Sequence, residues 1–181
     1  MVAAAEFALA NGFPFNRHWI VHYERAQVTE TAAAKFVGHL LRLASAFVRR
    51  EGGQLAALWA RENGEGKGGH VHILLHVPAG ITLRNRTRRW IIAAGGIYRV
   101  RVSRIKVIGG TLTNANLASR RYRQNVWILV GYLLKGATTD TGAAICLNRH
   151  GEGGRIVGKR AGWTQNIGRL AQLKAKNYVR P

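Results

Sequence analysis

The sequence predicts an α+β fold: an antiparallel sheet of about five strands, helices packed on one face, and the other face left for a functional site. Two observations carry this prediction. Strand-like and helix-period runs follow one another in the order βαββαβα, and two of the strands flank a glycine-rich hairpin. At 181 residues the chain is long enough for one domain with a real core. Residues 1–150 are expected to form that domain, with 151–181 a basic, glycine-rich tail packed on it or extending it.

Arg17–Tyr23 reads as the first strand. Thr29 is placed to cap a helix running to about Arg50, with Glu30 in its first turn, where the helix dipole favours an anion. Phe36, Leu40, Leu43 and Phe47 recur at the spacing of one buried stripe, with Val37, Leu41, Ala44 and Val48 beside them, and Gly52-Gly53 ends the helix. Strands follow at Gln54–Glu62 and in the run Gly68–Val77, joined through Asn63–Gly69. A second helix is expected over about Thr82–Ala94, basic at Arg84, Arg86, Arg88 and Arg89. Tyr98–Ile108 reads as a strand whose apolar parity switches between Val102 and Ile105, which predicts a bulge. Asn114 to about Lys135 reads as a third helix.

Composition selects the partner. With 28 Lys and Arg against 8 Asp and Glu, the net charge is +20 and a polyanion is the expected ligand, nucleic acid first. The single cysteine, Cys146, excludes an internal disulfide and fits a reducing cytoplasm. Met1–Phe15 carries Glu6 and no Lys or Arg, unlike a secretory signal, and no apolar run has the length of a membrane span.

The densest chemistry lies in His70-Val71-His72. On a strand, residues two apart point to one face, so two imidazoles can converge on one ion; on a helix they would diverge by about 200°. A hairpin centred on Gly66 sets Glu62 opposite His70 on that same face. Two imidazoles and a carboxylate with positions left open suit a catalytic divalent ion, Mg²⁺ or Mn²⁺, better than a closed structural zinc. Glu65, in the loop, is the rival carboxylate, and His76 lies too far along the strand to share the ion.

On the third helix, Tyr132 and Lys135 are three apart and share a face. A phenol is a weak nucleophile until metal or base assistance, or a nearby cation, favours its ionised form. His70-Val71-His72 resembles the histidine–hydrophobic–histidine motif of the HUH endonuclease superfamily, and Tyr132-Leu133-Leu134-Lys135 resembles its Tyr-x-x-Lys motif. Histidines first and tyrosine after is the order of the small rolling-circle replication initiators of plasmids and single-stranded DNA phages. Single-strand transposases share the order but typically lack the lysine. The recognisable motifs span Glu62–Lys135.

The resemblance implies cleavage of single-stranded DNA, at a hairpin origin, with Tyr132 as nucleophile, Lys135 as its assistant, and Glu62, His70 and His72 as ligands. It also implies recruited host replication proteins, since 181 residues leave little room for a helicase beside the nuclease. The rival class is a non-catalytic basic nucleic-acid-binding protein, which would form no covalent adduct.

Arg99, Arg101, Arg104 and Lys106 are expected to track phosphates, as are Lys159 and Arg160 in the tail, where Trp163 either stacks on a base or pins the tail. Tyr122 reads as a helix residue among arginines rather than a second nucleophile. Asn125 shares the Tyr132 face and could meet DNA. His18 and His22 read as structural, Trp19, Trp59, Trp90 and Trp127 as core, Gly151–Gly154 as a turn, and Leu170–Pro181 as basic and without fixed structure.

Overall fold

The computed structural model describes residues 1–110, 113–136, 151 and 153–178; Cys146 and Glu152 lie outside them. The elements are α1 (Val2–Ala10), β1 (Arg17–Val21), α2 (Glu30–Arg50), β2 (Ala56–Gly64), β3 (Gly68–His76), α3 (Arg86–Ala93), β4 (Ser103–Val107), α4 (Asn114–Ala118), α5 (Arg120–Leu134), β5 (Ala161–Trp163) and α6 (Arg169–Tyr178). A 3₁₀ turn at Gln165–Ile167 precedes α6. The strands form one five-stranded sheet in the order β4-β1-β3-β2-β5, and every pairing is antiparallel. This is the α+β class that the element order predicts. No described helix is long and apolar enough to cross a membrane.

Strand parity sorts the two faces. Trp19, Val21, Trp59, Val71, Ile73 and Leu75 point to the layer of α2 and α3, where they pack on Phe36, Leu40, Ala44, Phe47, Val48, Trp90 and Ile91. The predicted α2 stripe is buried throughout except at Leu43, which is partly covered. The opposite face presents Leu58, Ala60 and Leu74 to Ala4, Ala5 and Ala8 of α1, to Tyr122, Val126, Val130 and Leu133 of α5, and to Ile167. The second face is therefore not open along its length: α1 and α5 roof part of it, and the site lies between α5 and the sheet.

Several boundaries differ from expectation. Thr29 occupies the N-cap of α2, but its side chain bonds Thr31 rather than a backbone amide. The second helix starts only at Arg86, after Asn85 turns the chain through positive φ. The parity switch near Val102 comes from a turn rather than a bulge: Arg101 has φ 67, Val102 N–H donates to the Arg99 carbonyl, and β4 then runs in unbroken register. Ser119 breaks the expected third helix in two, leaving α4 at extended φ and ψ while its hydroxyl caps α5 by accepting from the Tyr122 amide. Of the stretch Leu170–Pro181, expected to lack fixed structure, the residues up to Tyr178 lie in α6, and 179–181 lie outside the described residues. Trp127, expected in the core, is 37% exposed.

The 151–181 segment extends the same domain, because β5 completes the sheet beside β2. Its anchor is Arg61, fully buried in the middle of β2. The Arg61 guanidinium pairs with the Glu30 carboxylate and donates to the carbonyls of Val157 and Lys159, both at 3.0 Å. Glu30 in turn accepts from the Tyr23 hydroxyl at 2.6 Å and from the Val157 amide at 3.0 Å. One buried ion pair thus ties the start of α2 to β2, β1 and the tail. Removing one partner of such a pair leaves an uncompensated charge. Glu30→Ala should therefore destabilise the fold by about 3 kcal/mol or more, read as a lowered urea midpoint with unchanged slope. A loss below about 1 kcal/mol would show that the carbonyls alone satisfy Arg61.

Candidate functional site

The hairpin forms in the predicted register. Gly64 pairs with Gly68 and Glu62 with His70, around a turn in which Gly66 has φ 74. Gly68, at φ 64, and Gly69 also leave space that side chains would close: a Cβ would meet the Glu24 carboxylate at the first and the Tyr23 ring at the second. The end of β1 can therefore lie against β3, and Glu24 accepts from the Gly69 amide at 2.5 Å.

Glu62, His70 and His72 are 6, 3 and 4% exposed, and one potential ligand atom from each lies within 4.8 Å of the others. The His70 Nε2 is 3.5 Å from one Glu62 oxygen and the His72 Nε2 is 3.9 Å from the other. Ligands about 2.1 Å from a common ion sit roughly 3.0–3.4 Å apart, so small side-chain rotations close the shell. His70 Nδ1 donates to the Gly68 carbonyl at 2.8 Å, which turns its Nε2 towards the Glu62 carboxylate.

Glu62 Oε1 and His72 Nε2 are among the buried side-chain atoms that have no hydrogen-bond partner among the described residues. Buried polar atoms are rarely left so. A cation between them satisfies both, so the residues present fit a divalent ion. The group could hold one, with coordination positions left over. Glu65 is exposed in the loop and takes no part.

Electrostatics prepares the ligands. Burial alone would raise the Glu62 carboxyl, but hydrogen bonds from His70 and Lys135 and the charges of His72 and Lys135 outweigh it and hold it at about 2. Burial pushes His72 down to about 3, opposed by Glu62 and reinforced by its cationic neighbours. Burial, then Lys106, takes His18 to about 4. A carboxylate beside a neutral His72 imidazole is a protonation state that binds metal.

α5 delivers the tyrosine. Its buried stripe of Tyr122, Val126, Val130 and Leu133 seats it on the sheet, and Tyr132 lies one residue off that stripe. The Tyr132 ring meets His72 edge to face, with centroids 4.9 Å apart. Lys135 closes the helix, its Nζ 2.9 Å from the second Glu62 oxygen and 3.9 Å from the centre of the Tyr132 ring. Burial would lower the Lys135 pKa, but Glu62 and then Tyr132 outweigh it and raise it. The five residues His70, His72, Glu62, Tyr132 and Lys135 thus come together. Tyr122 does not join them: it is 3% exposed and its hydroxyl donates to the Phe15 carbonyl at 2.9 Å. His76 is likewise elsewhere, bonded to the Pro14 carbonyl.

The sequence leaves His18 and His22 as structural histidines or neighbours of the site, and the structure places both beside it. The His18 Nε2 lies 3.0 Å from His72 Nδ1. If His72 ligates through Nε2, its proton sits on Nδ1 and is donated to His18, which fixes the ring's tautomer and direction. His22, from the same strand face, stacks on His70 with centroids 5.1 Å apart. The shared parity of His18 and His22 was visible in the sequence, but their contact with His70 and His72 depends on pairing between β1 and β3, which is non-local.

The expected phosphate-tracking residues divide. Arg104 and Lys106 pair with Ile20 and His18, so both lie on the site face of the edge strand β4, and both are exposed. Arg99 and Arg101 are exposed in the turn leading to it. Lys159 instead sits over Trp59, whose ring belongs to the α2 layer, and Arg160 is spent on the carbonyls of Gly153 and Gly154. Lys159 thus lies on the other side of the sheet, whereas Arg160 shares the lining of a small cavity with Glu62 and Gly136.

Metal titration should rank these roles. Glu62→Ala and His72→Ala should each weaken Mn²⁺ binding about 10-fold or more, His18→Ala about 10-fold, and Glu65→Ala not at all. Calorimetry that finds His18→Ala unchanged would reduce the His18–His72 contact to packing.

No protein-family model matches the chain, and neither a curated protein nor a solved structure matches it. The functional reading therefore rests on this geometry and on the order of the motifs along the chain.

Proposed function

We propose that the protein is a metal-dependent, site-specific endonuclease and strand transferase of single-stranded DNA, of the HUH type, that initiates rolling-circle replication. The observation that carries this reading is the Tyr132 ring packed against His72, with the Lys135 ammonium between that tyrosine and Glu62. A structural metal site has no need of an adjacent phenol held by a lysine.

An ion held by Glu62, His70 and His72 would supply Lewis-acid polarisation of the scissile phosphodiester. The nitrogen-rich donor set favours Mn²⁺ over Mg²⁺, which prefers oxygen throughout. The phenolic proton passes to solvent, and the Lys135 ammonium, against the Tyr132 ring, offsets charge on the phosphate oxygens. The phenolate oxygen attacks phosphorus and the bond to the 3′ oxygen breaks. That oxygen takes up a proton and leaves as a 3′-hydroxyl, while the 5′ phosphate stays on Tyr132 as a phosphodiester. An incoming 3′-hydroxyl reverses the step and rejoins strands, so no nucleotide cofactor is required. The exposed Arg104 and Lys106 beside the site suit the phosphates of the substrate strand, a hairpin origin in this reading.

The test uses end-labelled single-stranded DNA, including hairpins, with Mn²⁺. The wild-type chain should give a denaturation-resistant adduct whose linked peptide carries Tyr132. Tyr132→Phe should abolish cleavage and adduct while leaving metal and DNA bound, and Lys135→Ala should slow cleavage by about 10²-fold. An adduct on Tyr122, or cleavage that survives Tyr132→Phe, would overturn the assignment.

A further inference from the structure

A groove of about 440 Å³ opens beside the tyrosine. His18 and Ile20 of β1 form its floor, Lys106 and Val107 of β4 one wall, and Asn125, Ile128, Leu129 and Tyr132 of α5 the other. The four α5 residues fall at i, i+3, i+4 and i+7, one continuous helical face that ends on Tyr132. His72 closes the inner end.

The lining is specific in character. Ile128 is 66% exposed, so a large apolar side chain stands open on the α5 wall of the groove in a chain with net charge +20. The Asn125 carboxamide is half-buried in the wall and makes no hydrogen bond among the described residues. It offers both a donor and an acceptor. Lys106 stands at the rim as an exposed cation. An apolar wall, a two-way hydrogen-bonding group and one cation match a flat ring with a polar edge attached to an anion. The volume is that of a small-molecule pocket, wide enough for one nucleoside and too narrow for a base pair with its two backbones.

We propose that this groove is a subsite for one unpaired nucleobase of the strand that is cut, next to the phosphate presented to Tyr132. Ile128 packs on the ring, Asn125 reads its edge, and Lys106 takes the neighbouring phosphate. Asn125 is the specificity-determining residue at this position, because a carboxamide pairs in two directions with one base better than with the others. This assignment rests on the reading of the chain as a single-stranded DNA nuclease, and it adds which nucleotide is recognised and by what.

The experiment measures equilibrium binding by fluorescence anisotropy, with labelled homopolymer octanucleotides of dA, dC and dT and an abasic octamer. It uses the full chain in the Tyr132→Phe background, so that no cleavage intervenes. The parent should favour one base over the poorest by about 10-fold and bind the abasic strand weakest. Asn125→Ala should reduce the preference among bases to about twofold with the same salt dependence, since no phosphate contact is lost. Ile128→Asp should erase the advantage of every base over the abasic strand; at 66% exposure its replacement leaves the fold intact, which the thermal midpoint checks. Variants that rank the four probes as the parent does would overturn the subsite. The nuclease reading is judged separately by adduct formation in the wild-type chain. A base preference lost with Asn125→Ala but no adduct would keep the subsite and remove the nuclease.

Discussion

The pairing of β2 with β3 is the constraint on which everything else depends. Arg61 and Glu62 are consecutive on a buried strand and so must point to opposite faces. Arg61 finds Glu30 and the tail carbonyls in the α2 layer, and Glu62 finds Lys135 and the histidines on the other side. A slip of one residue would exchange them, placing a guanidinium among the would-be metal ligands and a carboxylate in an apolar core. Neither charge could be paired there. The Arg61–Glu30 ion pair therefore acts at a distance from the site as a lock on its register. Its contribution lies in specificity rather than in net stability.

The distribution of acids follows the same logic. The chain has 8 acidic residues, and the two drawn into this network serve as its structural and chemical anchors. Elsewhere a cationic surface faces solvent, and at the edge strand β4 it runs directly into the site through Arg104 and Lys106. Under the proposed function, a polyanion attracted by the net charge would be led along that side of the sheet. Glu62 alone would repel it at the end of that path. Lys135, held against the same carboxylate, cancels that repulsion.

The triad was legible in the sequence because each signal was local. Strand parity aligns His70 with His72, glycines mark the hairpin, and counting back from Gly66 sets Glu62 opposite His70. Tyr132 and Lys135 were legible as a helical pair, although nothing in the helix itself says which sheet face it covers. What the sequence hid was non-local. His18 depends on the β1–β3 register, Arg61–Glu30 joins residues 31 apart, and β5 has three residues, too few to show alternation. α1 was hidden for another reason. Its run Val-Ala-Ala-Ala-Glu-Phe-Ala-Leu-Ala is apolar around its whole circumference, so it has no periodic stripe to betray a helix. The expected bulge near Val102 illustrates the converse error, in which a turn that resets parity looks the same as a bulge inside a strand.

Burial along α5 sets its two tyrosines in different surroundings. Tyr122 sits in the centre of the stripe that faces the sheet, with its hydroxyl consumed by the Phe15 carbonyl. Burial there drives its phenol further from ionisation. A phosphodiester inside a polymer cannot thread into such a position, because both flanking strands must follow it. Tyr132, displaced from Leu133 by about 100° around the helix, keeps one side on His72 and the other on the open groove. It is also within reach of an ammonium, which lies over its ring. The proposed strand transfer needs a phenol that a polymer can reach and that has a cation beside it. Of the two phenols on α5, Tyr132 alone has both an open side and an ammonium over its ring.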